Sequence, residues 1–473
     1  MKTNPNNGLW ATLGYALMAV AAFHIAWLVE QANAMMILFL YALVMIARSG
    51  SSRVAFYTAI GVGLATYSVH LGFFWRIFGP AALPLWMILS FWLGVFALSA
   101  HLCWKRWGTL GLVILAPFLW TAVEYFRCEL YYLRFSWLSV GFAFGHFENA
   151  DRIMGLGVYA IGFLLMLAAA WTTILPRYCR LVTALTLVVA VQLICFIPFN
   201  TSNKETRMVP ALHIAGIQAE FPGALEVTFL LDDTLKKYPR ANMFLMSEYT
   251  FDGPVPERVK NWCRKHHKFL IVGGKKPLPN GDFMNTAFVV SPGGKVVFEQ
   301  GKSVPIQFFK DGIPAPAQKL WNSPWGRLGI CICYDLSYRR VVDRLVAMGA
   351  QAIVVPTMDV AEWGDYQHRL HARVGPARAA EYGIPVFRLA SSGYSQFVAG
   401  VSGLRTWAAS PGQGNTLYGV FELPRRGTVP VDGRLAPICV AITLLVLLYL
   451  AGTHLLQNLH LPAHSFPITS KCS

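Results

Sequence analysis

Seven apolar stretches follow one another between Leu9 and residue 198 with almost no charge inside them, and an eighth closes the chain near 435–456. About 20 apolar residues span a bilayer. Lipid offers the backbone no hydrogen-bond partners, so each stretch is confined to a helix. The chain is therefore read as an integral membrane protein. The expected spans are 9–28, 33–47, 54–75, 81–101, 108–126, 155–175, 181–198 and 435–456. The first is too long for a signal-peptide core and has no small-residue cleavage site, so it reads as an uncleaved anchor. Only 14% of the 473 residues are charged, where a soluble protein carries about a quarter.

Charge orients the spans. Arg48 and Arg53, Lys105 and Arg106, and Arg177 and Arg180 lie on alternate loops, while the intervening ones carry Glu30 or only Arg76. By the positive-inside rule both termini are cytoplasmic and the region before the last span faces outward. The expected division is a membrane domain over 1–200, an outward domain over 201–433, and a final span with a cytoplasmic tail over 434–473. In a Gram-negative bacterium this puts the outward domain in the periplasm and the chain in the inner membrane. The formal charge of +16 comes without a basic run or aromatic-interleaved basic motif, which argues against nucleic acid and for anionic lipid. The nine cysteines form neither a metal spacing nor a disulfide framework. The aromatic-rich connector 126–152 (FRCELYYLRFSWLSVGFAFGHFENADR) either lies along the lipid surface or re-enters and packs on its neighbours.

The outward region alternates strands and amphipathic helices. Strands are expected at 211–218, 242–247, 268–273, 286–291, 295–299 and 352–356, with helices near 224–237, 254–266 and 367–382. That pace predicts an α/β fold with helices outside the sheets. Gly329–Arg340 (GICICYDLSYRR) begins as a buried strand and turns into a helical pattern. Cys333 at the joint faces unpaired N–H groups and a helix dipole, which predicts a lowered thiol pKa. Cys331 reads as core.

Two further polar residues follow strands, Glu248 after MFLM and Lys302 after KVVFEQ. A carboxylate, an amine and a thiol at strand ends can converge on one sheet edge. The carboxylate would take the thiol proton and the thiolate attack a carbonyl. The ammonium, with the Tyr334 backbone N–H, would hold the oxyanion. The histidines 213, 266, 267, 368 and 371 lie apart with no acidic partners evident, so no metal is expected.

Glu, Lys and Cys in this order resemble the signature of the nitrilase (carbon–nitrogen hydrolase) superfamily, which implies an αββα sandwich. With seven spans before that domain and one after, the chain resembles its membrane-embedded apolipoprotein N-acyltransferase branch. Specific matches are IAGIQAEF, MNTAFVV with Asn285, ICYDLSYRR with Tyr334 and Asp335, and the run from Trp363 to Gly393 containing Gln367, His368, Arg378 and Glu381. The resemblance implies a ping-pong reaction without a cofactor. Cys333 takes an acyl chain from a phospholipid as a thioester, and the amine of a lipoprotein's diacylglyceryl-cysteine then receives it. A monomer suffices.

Some positions depart from the family. Ser247 stands for a proline before the glutamate, and Ser391 and Ser392 replace an asparagine pair. The loop VPIQFFKDG lacks the family's glutamate, for which Gln307 and Asp311 are the nearest candidates. Two alternatives stay open. One is a membrane-tethered amidase, or an acyltransferase with another acceptor; the other is a non-catalytic membrane scaffold or transporter.

Overall fold

The computed structural model describes residues 5–145, 153–196, 211–399, 405–423 and 426–459. The expected domain boundary near residue 200, the end of the connector (146–152) and the tail beyond 459 lie outside them.

The first part is helical: α1 (Pro5–Leu28), α2 (Met36–Ala47), α3 (Ser52–His70), α4 (Phe73–Phe78), α5 (Ala82–Tyr125), α6 (Val158–Trp171) and α7 (Arg177–Phe196). Helix α5 breaks at Gly108, whose φ of 70° lies outside helical space, so the two expected spans 81–101 and 108–126 are its two arms. A helix stands at each of the eight expected spans. Four segments, Gly8–Leu28, Phe73–Leu130, Arg177–Phe196 and Asp432–Leu455, are long and apolar enough to cross a bilayer, while Asn33–Ala47 and Val158–Ile174 are shorter. The chain is a membrane protein.

Two six-stranded sheets make up the second part. One has the order β12-β1-β2-β3-β4-β5 and the other β11-β10-β9-β8-β7-β6. The first holds β1 (Leu212–Ile217), β2 (Met243–Met246), β3 (Phe269–Pro277), β4 (Phe283–Val290), β5 (Val296–Gly301) and β12 (Thr416–Phe421). The second holds β6 (Leu320–Ser323), β7 (Gly326–Ile330), β8 (Ala352–Thr357), β9 (Val386–Ala390), β10 (Ser395–Ala399) and β11 (Arg405–Ala409). Strands β1, β2 and β3 run parallel, as do β7, β8 and β9. Parallel strands are buried on both faces, hence near-continuous apolar runs such as AIVVPT in β8.

Alternation decides which face meets what. Ile214, Leu245 and Ile271 pack in one core with Ile353, Val355 and Leu389 of the opposite sheet. Their neighbours Ala215, Phe244 and Leu270 pack under α8 (Ala224–Lys237) and α9 (Glu257–His266), through Val227, Leu231, Val259 and Trp262. At Gly216 the sheets pack tightly, since a Cβ there would stand 2.6 Å from Leu389. Helices α10 (Arg339–Ala347), α11 (Asp365–Ala372) and α12 (Val374–Tyr382) follow the second sheet's strands, and α13 (Asp432–Leu459) returns to the membrane part. This is the αββα sandwich; the helix expected over 367–382 is two, α11 and α12.

The connector after α5 packs inward. Trp137 Nε1 donates to Ser337 Oγ at 2.8 Å, and Ser136 Oγ to the Ser337 carbonyl at 3.2 Å. Glu129 accepts the Arg339 N–H at 2.9 Å, and Glu124 accepts the Val140 N–H at 2.9 Å. The described part of the connector thus packs on its neighbours from Phe135 onward, while Phe126, Leu130 and Tyr132 stay exposed.

Candidate active site

Strand β2 ends two residues before Glu248, β5 ends at the residue before Lys302, and β7 ends three residues before Cys333. The three side chains converge at one end of the two sheets and are buried. Lys302 Nζ lies 2.8 Å from Glu248 Oε1, and Asn285 Nδ2 donates to the same oxygen at 2.6 Å. Glu248 Oε2 accepts the Met358 N–H at 2.9 Å, while the Cys333 thiol points to the Met358 carbonyl at 3.7 Å. One backbone residue after β8 thus contacts both the Glu248 carboxylate and the Cys333 thiol.

A second carboxylate completes the group. Asp311 Oδ2 lies 2.7 Å from Lys302 Nζ, and its Oδ1 accepts from Tyr249 at 2.7 Å and Asn285 at 2.9 Å. Of the two candidates for the missing glutamate, Asp311 therefore reaches the site. Gln307 makes no contact with Lys302 or Glu248 and donates to the Tyr132 carbonyl at 3.0 Å.

Burial pushes the Lys302 ammonium down, but Asp311 and Glu248 outweigh it and hold the pKa well above the ordinary lysine value. Burial raises Glu248, against Lys302 and with the help of Asp311, so its pKa lies above the usual carboxylate range. Burial also raises Asp311, but Lys302 and its hydrogen bonds win and keep it low.

The expected lowering of the Cys333 pKa is overturned. Burial, followed by the Glu248 charge, pushes the thiol well above its ordinary value. Cys333 opens a short 3-10 turn, Cys333–Ser337, and the helix proper starts only at Arg339. A helix dipole acts within its first turn. Cys333 is thus held as a thiol beside the Glu248 carboxylate. Its φ of 50°, with 51° at Tyr249 and 68° at Phe308, places three of the five left-handed non-glycine residues among the described residues at this site. Each such conformation costs about 1–3 kcal/mol.

The other expected residues fall into two groups. Asp335 lies outside the pocket and ties Lys302 to Cys333, accepting N–H bonds from Val304 at 2.7 Å, Ser303 at 3.0 Å and Ile332 at 3.2 Å. Burial raises its pKa to about 6 despite those bonds and Lys302. Tyr334, Trp363 and Gln307 line an apolar pocket with Cys333 at its wall. It is also walled by membrane helices (Phe73, Phe74 and Phe78 of α4; Leu85 and Leu89 of α5), by the connector residues Phe135 and Trp137, and by Phe308, Phe309, Gln367 and His371 of the sandwich.

Sequence reasoning missed Asp359, two residues past β8 as Glu248 is two past β2. That parallel was the available signal. Asp359 is buried and pairs with Arg388 and, at 2.8 Å, with His371, correcting the expectation that no acidic residue partners the histidines. His371 stacks on Trp137 with ring centroids 4.5 Å apart.

The family model described as Carbon-nitrogen hydrolase matches residues 216–411, and that described as Apolipoprotein N-acyltransferase N-terminal domain matches residues 8–171. A deaminated glutathione amidase from Dictyostelium discoideum is 29% identical over 131 residues, 24% of this chain and 44% of its own length, so the chain spans under half of that relative. Among solved structures, Nit3 of Saccharomyces cerevisiae is similar with a TM-score of 0.39 at 14% identity, over 46% of this chain and 93% of Nit3. A carbon–nitrogen hydrolase from Helicobacter pylori G27 has a TM-score of 0.40 at 17% identity, over 45% of this chain and 90% of its own. The two family models cover both halves of the chain, in the order of its membrane helices and its sandwich. The chain belongs to the apolipoprotein N-acyltransferase type of the nitrilase superfamily.

Proposed function

We propose that the protein moves an acyl chain from a phospholipid to the N-terminal amine of a lipoprotein's diacylglyceryl-cysteine, through a thioester on Cys333. Glu248 takes the thiol proton as sulfur attacks the ester carbonyl. Lys302 and the Tyr334 N–H stabilise the oxyanion, and the protonated Glu248 returns its proton to the departing lysophospholipid. The amine then displaces sulfur. Asn285, Asp311 and Asp335 hold these groups in register.

One observation carries this reading: the apolar pocket that reaches Cys333 is walled by Phe73, Phe74, Phe78, Leu85 and Leu89 of the membrane helices. A small polar amide needs no such wall, whereas an acyl chain entering from lipid does. The pocket also keeps water from the thioester. In this topology the chain makes eight passes of the bacterial inner membrane, with both termini cytoplasmic and the sandwich (201–433) in the periplasm. It acts as a monomer among membrane lipids, without a cofactor.

The test is the intact mass of purified protein after incubation with phospholipid vesicles, for wild type and Cys333→Ala. The expected result is a gain of one acyl chain, removed by neutral hydroxylamine and absent from the variant. A folded wild type that gains no mass yet releases amine from small amides would replace this reading with the amidase.

A further inference from the structure

Proton balance separates the two halves of the proposed reaction. A thiol and an ester give a thioester and an alcohol with no proton gained or lost, so Glu248 alone suffices. The second half differs. An amine with the ordinary α-amino pKa, about 8, arrives as an ammonium near neutral pH. It forms the new C–N bond as the C–S bond breaks, and its nitrogen loses two protons. One passes through Glu248 to the Cys333 sulfur. The other must leave.

We propose that Gln367 and His371 receive the incoming ammonium and that His371 takes this second proton, an inference that rests on the acyl-transfer reading. Both residues line the pocket with Cys333. Gln367 Nε2 donates to Asp359 Oδ1 at 3.2 Å; a carboxylate accepts only from the NH₂ end, so the amide is oriented and Gln367 Oε1 is left buried without a partner. His371 Nδ1 is bound to the same Asp359 oxygen at 2.8 Å, which makes Nε2 the basic nitrogen. Asp359 is itself pinned by Arg388, and Trp137 covers one face of the imidazole.

Burial outweighs Asp359 and lowers the His371 pKa to about 4, so the ring is neutral. Glu248 takes the first proton and frees the lone pair. His371 takes the second once the new C–N bond has made that nitrogen far more acidic than the free ammonium. The charged groups that act on it are Asp359, Arg388 and Lys302. Glu248 and Cys333 lie beside Lys302, and Arg134, Gln307 and Tyr334 add to the polar lining of the pocket. The proton on Nε2 passes to water as the product leaves.

The experiment resolves the half-reactions in full-length wild type, His371→Phe and Gln367→Leu. Thioester formation is followed by intact mass with phosphatidylethanolamine vesicles. Transfer is followed with a synthetic diacylglyceryl-cysteine peptide from pH 6.5 to 9.5. His371→Phe, which keeps the stack on Trp137, should still form the thioester. Its transfer at pH 7 should fall about a hundredfold and recover as the pH passes the amine's pKa. Gln367→Leu should raise KM for the peptide. Transfer at the wild-type rate at pH 7, a deficit that persists at pH 9.5, or a parallel loss of thioester formation would each overturn the assignment. A wild type that forms no thioester would sink the acyl-transfer reading itself.

Discussion

Lys302 Nζ stands 2.7 Å from Asp311 Oδ2, so the ammonium of this site is shared between two carboxylates. Asp311 also takes one N–H of Asn285, whose amide bridges to Glu248. Asp311 therefore acts on Glu248 twice, through charge and through position.

Asp311→Asn removes a negative charge that raises the Glu248 pKa. Glu248 must be ionised to accept the thiol proton, so activity is lost as the pH falls through its pKa. In wild type that acid limb should lie above pH 4.5, the ordinary glutamate value. The variant should shift the limb to lower pH and reduce thioester formation about tenfold to a hundredfold, since Lys302 loses a partner. A pH–rate profile of thioester formation decides it. An unmoved limb would mean Asp311 does not sense Glu248.

Cys333→Ala should abolish turnover, and Cys331→Ala should retain most of it. Both thiols are buried, and burial raises both pKa values well above normal, but only Cys333 lines the pocket. Removing one sulfur from the core should cost about 1–2 kcal/mol in Cys331→Ala. Iodoacetamide labelling in the presence and absence of phospholipid gives an independent check, with protection confined to Cys333.

Trp137→Ala should destabilise the protein by about 3–5 kcal/mol, the usual cost of emptying a buried tryptophan site. It removes the Ser337 hydrogen bond and the stack on His371 together. Trp137→Phe should keep the stack and lose only the hydrogen bond, about 1 kcal/mol. Thermal unfolding in detergent, with activity measured below the transition, separates the two.

Arg378 is buried, donates to the Leu336 carbonyl at 3.0 Å and the Ser337 carbonyl at 2.7 Å, and pairs with Glu381. Glu381 in turn accepts the Val158 N–H at the start of α6, at 3.1 Å. Arg378→Met should cost about 3–5 kcal/mol, because Glu381 is left charged and buried. The double variant Arg378→Met, Glu381→Leu should regain part of that. A cycle of unfolding midpoints measures the coupling, and strict additivity would refute it.

Much of the sandwich was readable because its strands are short apolar runs, each followed by the polar residue that matters: MFLM before Glu248, LGICI before Cys333. Two things were not. Asp311 reaches Lys302 only because the loop turns back at Gly312, with φ of 78°, and Ile313 then bonds to the Phe283 carbonyl at 2.9 Å. No local pattern encodes that return. The connector was ambiguous for a different reason, since aromatic residues at amphipathic spacing suit a lipid surface and a protein groove equally. Its burial was decided by partners such as Ser337 and His371, which lie far along the chain. The thiol was misjudged because helical periodicity in Arg339–Val346 does not reveal that the turn before it is 3-10.

Trp137 and Ser337 meet across 200 residues of chain. Synthesis runs from the N-terminus, so the apolar walls from Phe73 to Trp137 are made before Cys333. The sandwich must then come down onto a surface that already exists, with Ser337, just past Cys333, as its landing point. In a free-standing sandwich the side of the pocket that Phe73, Phe74, Phe78, Leu85 and Leu89 wall would stand open. The bilayer part thus serves as a mould for the reaction chamber as well as its anchor.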